Sequence, residues 1–350
     1  MRPALKPGLL AVWRDRDTLQ IGIDPRRAIA LRGMGQARGL LRLVDGSRDR
    51  AQVLAAAREL GIPETAADRV LTLLAAAGAL QDFPAGVHRV VPVPVRRRLA
   101  PELATAALAY GDCDGGARTL ARRQAAWIRV HGASSAGLSL AGLLTAAGIG
   151  RVTTSGQIRP ALPAAGGRDE NRPGAGADDN AVAGLGSAAG HGDLPRGLAT
   201  GGSPAPPRPD LVILAAPCHP ELPAALVSGR IPHLAISAAE AIGTVGPLVL
   251  PGRSACLRCL DLTRADRDPA WPLILAQVAG REPEPPACDA TLAAAVAAQA
   301  AAQVLYCVDR ACPAAAVTNG TLELVLPGWQ WRRRSWLPHS RCGCGSQAGS

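Results

Sequence analysis

Residues 127–151 read WIRVHGASSAGLSLAGLLTAAGIGR, and this stretch decides the fold. It opens with a short apolar run, which is typical of a buried strand. A turn of small residues follows, and the apolar pattern of a helix then continues until Gly148 and Gly150 stop it. From Arg151 the pattern is again that of a strand. Strand, glycine turn, helix and strand form a βαβ unit, the seed of a parallel sheet of the nucleotide-binding type.

Three residues of the turn are candidate cofactor-binding residues. Gly132 permits the sharp turn, and Gly137 lets the helix pack close to the sheet. The N–H groups at the start of the helix would point into a crevice, where an anion can bind. Ser134 stands where the nucleotide-binding fingerprint has its second glycine. The turn therefore predicts the fold strongly and phosphate binding weakly, and a packing turn without a ligand stays an open alternative.

Composition favours a folded protein with room for two domains. The chain has 350 residues, of which 48% are hydrophobic and 19% charged. The net charge of +10 comes from arginine, since Lys6 is the single lysine. A basic chain suits an acidic partner or nucleic acid. The densest arginine clusters, at 96–98 and 332–334, are short, so solvated surface charge is the simpler interpretation.

The sequence predicts a cytoplasmic protein that makes no contact with a membrane. Its first residues lack the apolar stretch of a signal peptide. A membrane span needs about 20 apolar residues, and the Ala-rich stretch at 290–308 is interrupted by glutamines. In a reducing compartment, nine cysteines indicate metal binding or reactive thiols rather than a disulfide framework.

The first 85 residues predict a winged-helix-like α+β domain. Alternation at 18–23 and 28–31 indicates a hairpin, and three short helical patterns follow it. The third helix carries a single basic residue, Arg69, so nucleic-acid binding is disfavoured. The hairpin edge, 19–23 or 28–31, would instead accept a peptide as an added strand. The alternative is that this domain binds no peptide and only packs against the α/β domain, in a possible homodimer. The candidate peptide-binding residues are Leu19, Ile21, Ile23, Val70 and Leu74.

Two further segments complete the predicted domain organisation. Residues 86–126 form a connector with one helix, and 127–350 form the α/β domain. Within that domain, 161–209 consists of Gly, Ala, Asp and Pro with almost no large apolar residues. Such a segment cannot bury enough surface to offset its ordering entropy, so it predicts a disordered insertion. Strand patterns resume after it, at 210–215, 233–237, 241–250 and 321–326.

Two close pairs of cysteines predict a structural zinc site. Cys256 and Cys259 form a CxxC turn, and Cys342 and Cys344 form the second pair. Four thiolates complete a tetrahedral shell that suits zinc, and no position stays open for a substrate. Such a site would tie the C-terminal tail to the sheet. Unligated thiols are one alternative, and His339 in place of one cysteine is another.

Cys288 is the one catalytic candidate. It stands where a long helix begins, and a helix N-terminus can lower the pKa of a thiol and raise its reactivity. A buried small residue without chemistry is the alternative at this position.

Residues 127–344 resemble the ThiF/MoeB-type superfamily, which has the fold of ubiquitin-activating enzymes. The resemblance rests on the Cys-Leu-Arg-Cys-Leu stretch after Gly246, on Cys288 ahead of its helix, and on the closing cysteine pair. In that superfamily the glycine turn binds ATP, the paired cysteines bind zinc, and a cysteine at the position of Cys288 takes part in thiol chemistry.

The chain departs from the active members of this superfamily at the ATP site. No acidic residue ends the second strand, which closes with Thr154 and Ser155. The following segment contains no lysine, and Ala215 and Ala216 stand where an aspartate for Mg²⁺ is expected. Phosphoryl charge would lack its usual stabilising groups. We therefore expect that this chain does not use ATP.

The hairpin and the Trp-x-x-His-x-x-Cys-Gly-Cys tail resemble the leader-binding ThiF-like subunit of azoline-forming cyclodehydratases. These make thiazole- and oxazole-modified peptides, including bacteriocins. The resemblance implies two partners, a precursor peptide leader and a separate YcaO-type enzyme that uses ATP. The alternative is an ATP-dependent adenylyltransferase acting on a carboxylate or a sulfur-carrier protein. A nicotinamide-dependent oxidoreductase fits least, because no acidic residue follows the second strand to hold a ribose.

Overall fold

The structure, a computed structural model, is an α/β protein with one large sheet that is parallel in part. The predicted fold class is confirmed to that extent. The predicted disordered insertion at 161–209 lies outside the described residues, apart from its last two. The described residues are 1–37, 39–82, 93–155, 208–215, 221–278, 286–310 and 315–345.

Residues 1–82 build five short strands and two α-helices around a hydrophobic core of their own. The two helices follow the predicted patterns at 49–60 and 66–77, whereas the pattern at 37–43 forms only short 3₁₀ turns. Asp49 caps the first helix by accepting a hydrogen bond from the Gln52 backbone N–H at 2.9 Å. The elements are β1 (Pro3–Leu5), β2 (Ala11–Trp13), β3 (Leu19–Ile21), β4 (Ile29–Leu31), α1 (Arg50–Glu59), α2 (Glu64–Ala76) and β5 (Leu80–Asp82).

The hairpin is part of a three-stranded antiparallel sheet in the order β2-β3-β4. The β3–β4 pairing is the predicted hairpin, with Leu19 opposite Leu31. Strand β2 pairs with the other side of β3, and no alternating pattern predicted this strand. Strand β3 is therefore central, and the prediction that 19–23 forms an edge is wrong. The open edges are β2 and β4, and β4 is the second predicted edge.

The remaining elements form a connector and one large sheet with its helices. The connector contains a second helix that the sequence did not predict. Likewise, the last strand was missed because its arginine-rich sequence lacks a strand pattern. The elements are α3 (Val93–Tyr110), α4 (Ala117–Ala125), β6 (Trp127–His131), α5 (Ser135–Ala146), β7 (Arg151–Ser155), β8 (Leu211–Leu214), α6 (Glu221–Ser228), β9 (His233–Ala239), β10 (Ile242–Val249), α7 (Leu257–Ala265), α8 (Trp271–Val278), α9 (Ala290–Arg310), β11 (Gly320–Val325) and β12 (Gln330–Ser335).

The large sheet has seven strands in the order β12-β11-β10-β9-β8-β6-β7. Strands β7, β6, β8 and β9 run parallel, and β9 to β12 form an antiparallel continuation. The βαβ unit predicted from residues 127–151 is confirmed, with β6 beside β7 and α5 between them in sequence. All four residues of β8 are buried, as expected for a parallel strand covered on both faces.

Helix α9 packs against the centre of the sheet. Leu292, Val296, Ala300 and Val304 are at most 1% exposed and belong to the main hydrophobic core. By length and composition α9 is the one described helix that could cross a membrane, and such helices also occur as buried core helices. Its position here is that of a core helix. Cys307, near its end, is disulfide-bonded, so this cysteine departs from the predicted free thiols.

A buried ion pair joins the connector to α9. Arg123 on α4 donates two hydrogen bonds to the Asp309 carboxylate, at 2.8 and 2.7 Å. The Tyr110 hydroxyl donates to the same carboxylate at 3.0 Å, and burial raises the pKa of Tyr110 to about 12. The Arg123 and Asp309 side chains are 7% and 0% exposed. The connector is thereby fixed to the core of the large sheet.

Candidate functional site

The four predicted zinc ligands come together at one end of the large sheet. Cys256 is the N-cap residue of α7 and Cys259 lies in its first turn, while Cys342 and Cys344 follow β12. Their four sulfur atoms all lie within 4.8 Å of one another. The Sγ atoms of Cys256 and Cys259 are 3.8 Å apart, and each approaches one sulfur of the other pair at 3.4 Å.

These separations suit a metal shell better than they suit any other arrangement of four thiols. A disulfide requires about 2.05 Å between its sulfurs, far below the distances seen. Four ligands about 2.3 Å from a tetrahedral zinc ion lie about 3.8 Å from one another. The cluster is also enclosed by an apolar shell that includes Leu260 and Trp336. The four cysteines are thus arranged so that they could bind a metal ion such as zinc.

Burial changes the protonation of these thiols. It raises the pKa of Cys256 strongly and that of Cys344 to about 11. Hydrogen bonds from the neighbouring backbone and thiols act in the opposite direction on Cys259, whose pKa is lowered. Without a cation, the Cys256 and Cys344 thiols therefore favour their protonated form. A bound metal would have to displace those protons, since the thiolate is the ligand.

His339 is not a member of the cluster. Its Nε2 lies 2.7 Å from a carboxylate oxygen of Asp266, and its Nδ1 accepts the Arg341 backbone N–H at 3.1 Å. Both ring nitrogens are therefore engaged. The hydrogen bond from His339 is the main reason that the pKa of Asp266 is lowered. The alternative in which His339 replaces a cysteine ligand is not supported by this geometry.

The glycine turn between β6 and α5 is held by close packing. Gly132 has a φ of 103°, a conformation that favours glycine, and its N–H donates to the Ser155 carbonyl at 2.7 Å. A Cβ atom at Gly137 would lie 2.7 Å from the Ala215 Cβ, closer than side chains approach one another. Gly137 therefore allows α5 to approach the end of β8, which agrees with the packing role expected from the sequence.

Ser134 occupies the start of α5 with its own side chain. It is the N-cap residue, and its Oγ accepts the Gly137 backbone N–H at 3.2 Å. The same hydroxyl donates to the Ala215 carbonyl in a short hydrogen bond. One of the N–H groups that an anion would use is thereby satisfied internally, and the hydroxyl links the turn to the neighbouring strand.

Cys288 lies close to this turn but does not begin the helix that follows it. Asp289 is the residue that caps α9: its Oδ1 accepts the Leu292 backbone N–H at 2.7 Å. That hydrogen bond is the main cause of the lowered pKa of Asp289. Cys288 thus lies one residue before the N-cap, and its activation by the helix N-terminus stays a prediction. The Cys288 thiol faces the Ser135 hydroxyl, with Sγ and Oγ 3.9 Å apart.

Four of the five predicted peptide-binding residues belong to the core of residues 1–82. The exposed fraction is 2% for Leu19 and 0% for Ile21, while Ile23 is 61% exposed and lies beyond β3. The other two, Val70 and Leu74, are buried on α2. Buried side chains cannot meet a peptide without repacking, so a groove lined by these four residues is not seen.

A cavity that the sequence did not indicate lies beside β4. It has a volume of about 380 Å³ and runs from Ile29 to the end of α2 and the last turn of α3. Lys6, Arg26 and Arg27 line it together with small and apolar residues. The signal available in the sequence was the pair of arginines ahead of the 28–31 strand. Nothing in the sequence indicated that the single lysine would join them.

Known structures share this fold, although no protein-family model and no curated protein matches the sequence. A heterocyclase solved in complex with substrate and cofactor matches with a TM-score of 0.62 and 13% identity. The heterocyclase TruD matches with a TM-score of 0.60 and 16% identity. MccB of E. coli, solved with succinimide, matches with a TM-score of 0.62 and 13% identity.

The extent of these matches differs. They cover 99%, 98% and 99% of this chain, respectively. They cover 39% and 43% of the two heterocyclase chains but 100% of MccB. This chain therefore spans about two fifths of the length of either heterocyclase. At such low identities the matches show the fold alone: this chain has the fold of MccB and of part of the two heterocyclases.

Proposed function

We propose that this protein binds a precursor peptide and presents it for azoline-forming cyclodehydration by a partner YcaO-type enzyme. Residues 1–85 form a winged-helix-like peptide-recognition domain, 86–126 a connector, and 127–350 a ThiF-like domain. The observation that carries the proposal is the open edge strand β4 with a cavity beside it. An edge strand offers unpaired main-chain groups to an extended peptide, and the cavity offers room for a side chain.

Hydrogen bonding within the small sheet identifies the residue that would pair with the peptide. The Gly22 N–H donates to Leu10, and the Arg14 N–H to Thr18, so the even-numbered residues of β3 face β2. Leu19 and Ile21 then face β4, where they pair with Leu31 and Ile29. Between these two, the N–H and C=O of Ala30 point away from β3. Ala30 is exposed, so this position is open to a peptide strand.

The glycine turn supports a presenting role rather than ATP chemistry. Ser134 uses its hydroxyl to cap α5 and to bridge to Ala215. The single lysine of the chain, Lys6, is buried, and its Nζ donates to the Ala107 carbonyl of α3. No lysine can therefore stabilise a phosphate at the turn. We propose that the zinc ion held by the four cysteines is structural, because all of its positions would be filled.

Leader binding tests the proposal through the two edges of the small sheet. Fluorescence anisotropy would measure binding of the co-encoded precursor leader to full-length protein. Ala30→Pro removes an outward N–H from β4, and Ala11→Pro does the same at the opposite edge, β2. We expect Ala30→Pro to weaken binding about tenfold or more, since main-chain hydrogen bonds set the register. Ala11→Pro should leave the affinity unchanged. Equal effects of the two prolines, or no leader binding at all, would contradict the proposal.

The extent of the MccB match favours a second candidate, an ATP-dependent adenylyltransferase. The chain covers 99% of its own length and 100% of MccB, which has been solved in complex with MccA and AMPCPP. ATP–pyrophosphate exchange with the leader or another carboxylate separates the two candidates. We expect no exchange above background. Robust exchange that is lost in Gly132→Val would replace the presenting role with adenylation.

A further inference from the structure

We propose that the cavity beside β4 is a carboxylate-binding subsite in which Lys6 receives an acidic side chain of the bound peptide. This inference rests on the proposed peptide-binding function and specifies which chemical feature of the peptide is recognised. Its evidence is the position of the one lysine of the chain, the charge of the cavity wall and the presence of Ile29, a residue of the open edge strand, in that wall.

Lys6 is buried to an unusual degree for a lysine. Only 2% of it is exposed, and it follows β1, where its backbone N–H donates to the Ala79 carbonyl. Its Nζ donates one hydrogen bond, at 2.9 Å, to the Ala107 carbonyl in the last turn of α3. An ammonium group has three N–H donors. No other partner of this ammonium group occurs among the described residues, so two donors are available to a ligand.

The wall around Lys6 is positive and contains no acidic side chain. Arg27 also lines the cavity, and its Nη1 donates to the Leu108 carbonyl at 2.7 Å. Arg26, the third basic residue of the wall, is already paired with Asp24 at 2.6 Å. None of the residues that line the cavity is an aspartate or a glutamate. A buried cation without a counterion is costly, and an incoming carboxylate would remove that cost.

A simpler role for Lys6 exists but leaves this charge uncompensated. Lysine and arginine side chains near the end of a helix bind its last carbonyls, and Lys6 and Arg27 do this at α3. These contacts use neutral carbonyls, each with a partial charge. They explain why the two side chains are held in position. They do not supply the full negative charge that a buried ammonium group favours.

The edge strand β4 forms part of the cavity wall. Ile29 of β4 lines it, next to Ala30, whose main chain faces the open edge. Alternate residues of a strand point to the same face. A peptide strand paired with Ala30 would therefore direct one set of its side chains to the face that bears the cavity. An aspartate or glutamate in that set would bring its carboxylate to Lys6.

The single lysine makes a direct test possible. Protein labelled with ¹³C and ¹⁵N only in lysine gives one side-chain NMR signal, that of Lys6. We expect this signal to shift when the co-encoded leader binds, and not to shift with a leader in which the responsible acidic residue is replaced by its amide. Free acetate and glutarate serve as probes of carboxylate binding without a peptide. A shift with acetate but not with the leader would overturn the assignment to a peptide side chain.

A double-mutant cycle measures the coupling by anisotropy. Acidic residues of the leader are replaced one at a time by amides, and each peptide is tested against wild type, Lys6→Met and Arg58→Met. In wild type, we expect one replacement to weaken binding about tenfold or more. Against Lys6→Met the same replacement should have no effect. Arg58→Met should behave as wild type, because Arg58 lies on α1, pairs with Glu64 and does not line the cavity. Leader binding without coupling to Lys6 overturns this inference alone, and absence of leader binding overturns the proposed function as well.

Discussion

The cysteine cluster and the glycine turn were both predicted as ligand sites, and the structure treats them differently. In the cluster, four thiols converge so that their sulfur atoms all lie within 4.8 Å of one another. At the turn, Ser134 fills the start of α5 and satisfies its own hydrogen bonds. The first arrangement could bind a metal ion, which would hold the thiols together. At the turn, the Ser134 hydroxyl already bonds to Gly137 and Ala215, so a ligand would have to displace these hydrogen bonds.

This contrast distinguishes groups of residues that are arranged to bind a ligand from segments whose sequence only resembles a ligand-binding motif. When several polar side chains converge and cannot satisfy one another's charges or hydrogen bonds, a ligand that would satisfy them is indicated. A fold-specific turn keeps its backbone geometry for packing even when its side chains no longer suit the ligand. Gly137 illustrates the second case, because it serves contact with Ala215 whether or not a nucleotide binds.

The largest expected effect is the loss of one cysteine ligand. Cys259→Ser should abolish binding of about one zinc ion per chain and destabilise the fold severely. Structural zinc contributes roughly 10 kcal/mol or more of apparent binding energy, which becomes folding energy. Metal analysis and urea unfolding measure the two effects. Cys113→Ser is the matched control, since Cys113 is exposed and lies outside the cluster. The prediction would be contradicted if wild-type protein without zinc were as stable as wild-type protein with zinc.

A smaller effect is expected from closing the space at the glycine turn. Gly137→Ala should destabilise by about 1–3 kcal/mol, because its Cβ would overlap with Ala215. Gly142 lies on the same helix with no atom within 4 Å of an added Cβ. Gly142→Ala should therefore stabilise by about 0.5–1 kcal/mol, as alanine does in helices. Urea unfolding measures the free energy of unfolding of both variants. A change of the same sign in both would show that close packing at Gly137 does not require glycine.

The cap at the same turn should contribute less. Ser134→Ala removes the hydroxyl that caps α5 and should cost about 1 kcal/mol. Ser135→Ala is the neighbouring control, since among the described residues its hydroxyl has one hydrogen-bonding contact, the Cys288 thiol at 3.9 Å. We expect that control to unfold as wild type does. Ser134→Gly, which restores the glycine of the nucleotide-binding fingerprint, should still not bind ATP by calorimetry.

The smallest effect concerns the pH dependence of the metal-free cluster. Burial raises the pKa of Cys344 from 9.0 to about 11, so the folded state favours the protonated thiol. Its contribution to stability is complete below pH 9.0 and is lost as the pH rises through about 11. The metal-bound protein has no such proton to lose. The raised pKa of Tyr110, about 12, lowers the stability of both forms at high pH. Thermal unfolding across this range should therefore show a steeper decline in the metal-free form than in the metal-bound form.

Much of the large sheet was predictable because its signals are local. The apolar runs at 127–131 and 210–215 and the pattern at 290–308 each specify one buried element. The cysteine cluster was predictable as well, because its residues occur in two pairs that are close in sequence. Each pair can supply two of the four ligands of one zinc ion. Strand β12 was missed since its buried partner, β11, and not its own arginine-rich sequence, determines that it is a strand.

What the sequence determined by itself was the βαβ unit, the apolar elements of the large sheet and the identity of four clustered thiols. Tertiary structure alone decided which edge of the small sheet is open, because β2 pairs with β3 through contacts that no local pattern encodes. It also decided that Asp289, and not Cys288, caps α9. The cavity beside β4 was likewise decided by the tertiary structure alone. Lys6 meets Ala107 across a separation of 101 residues, and only the folded chain brings them together.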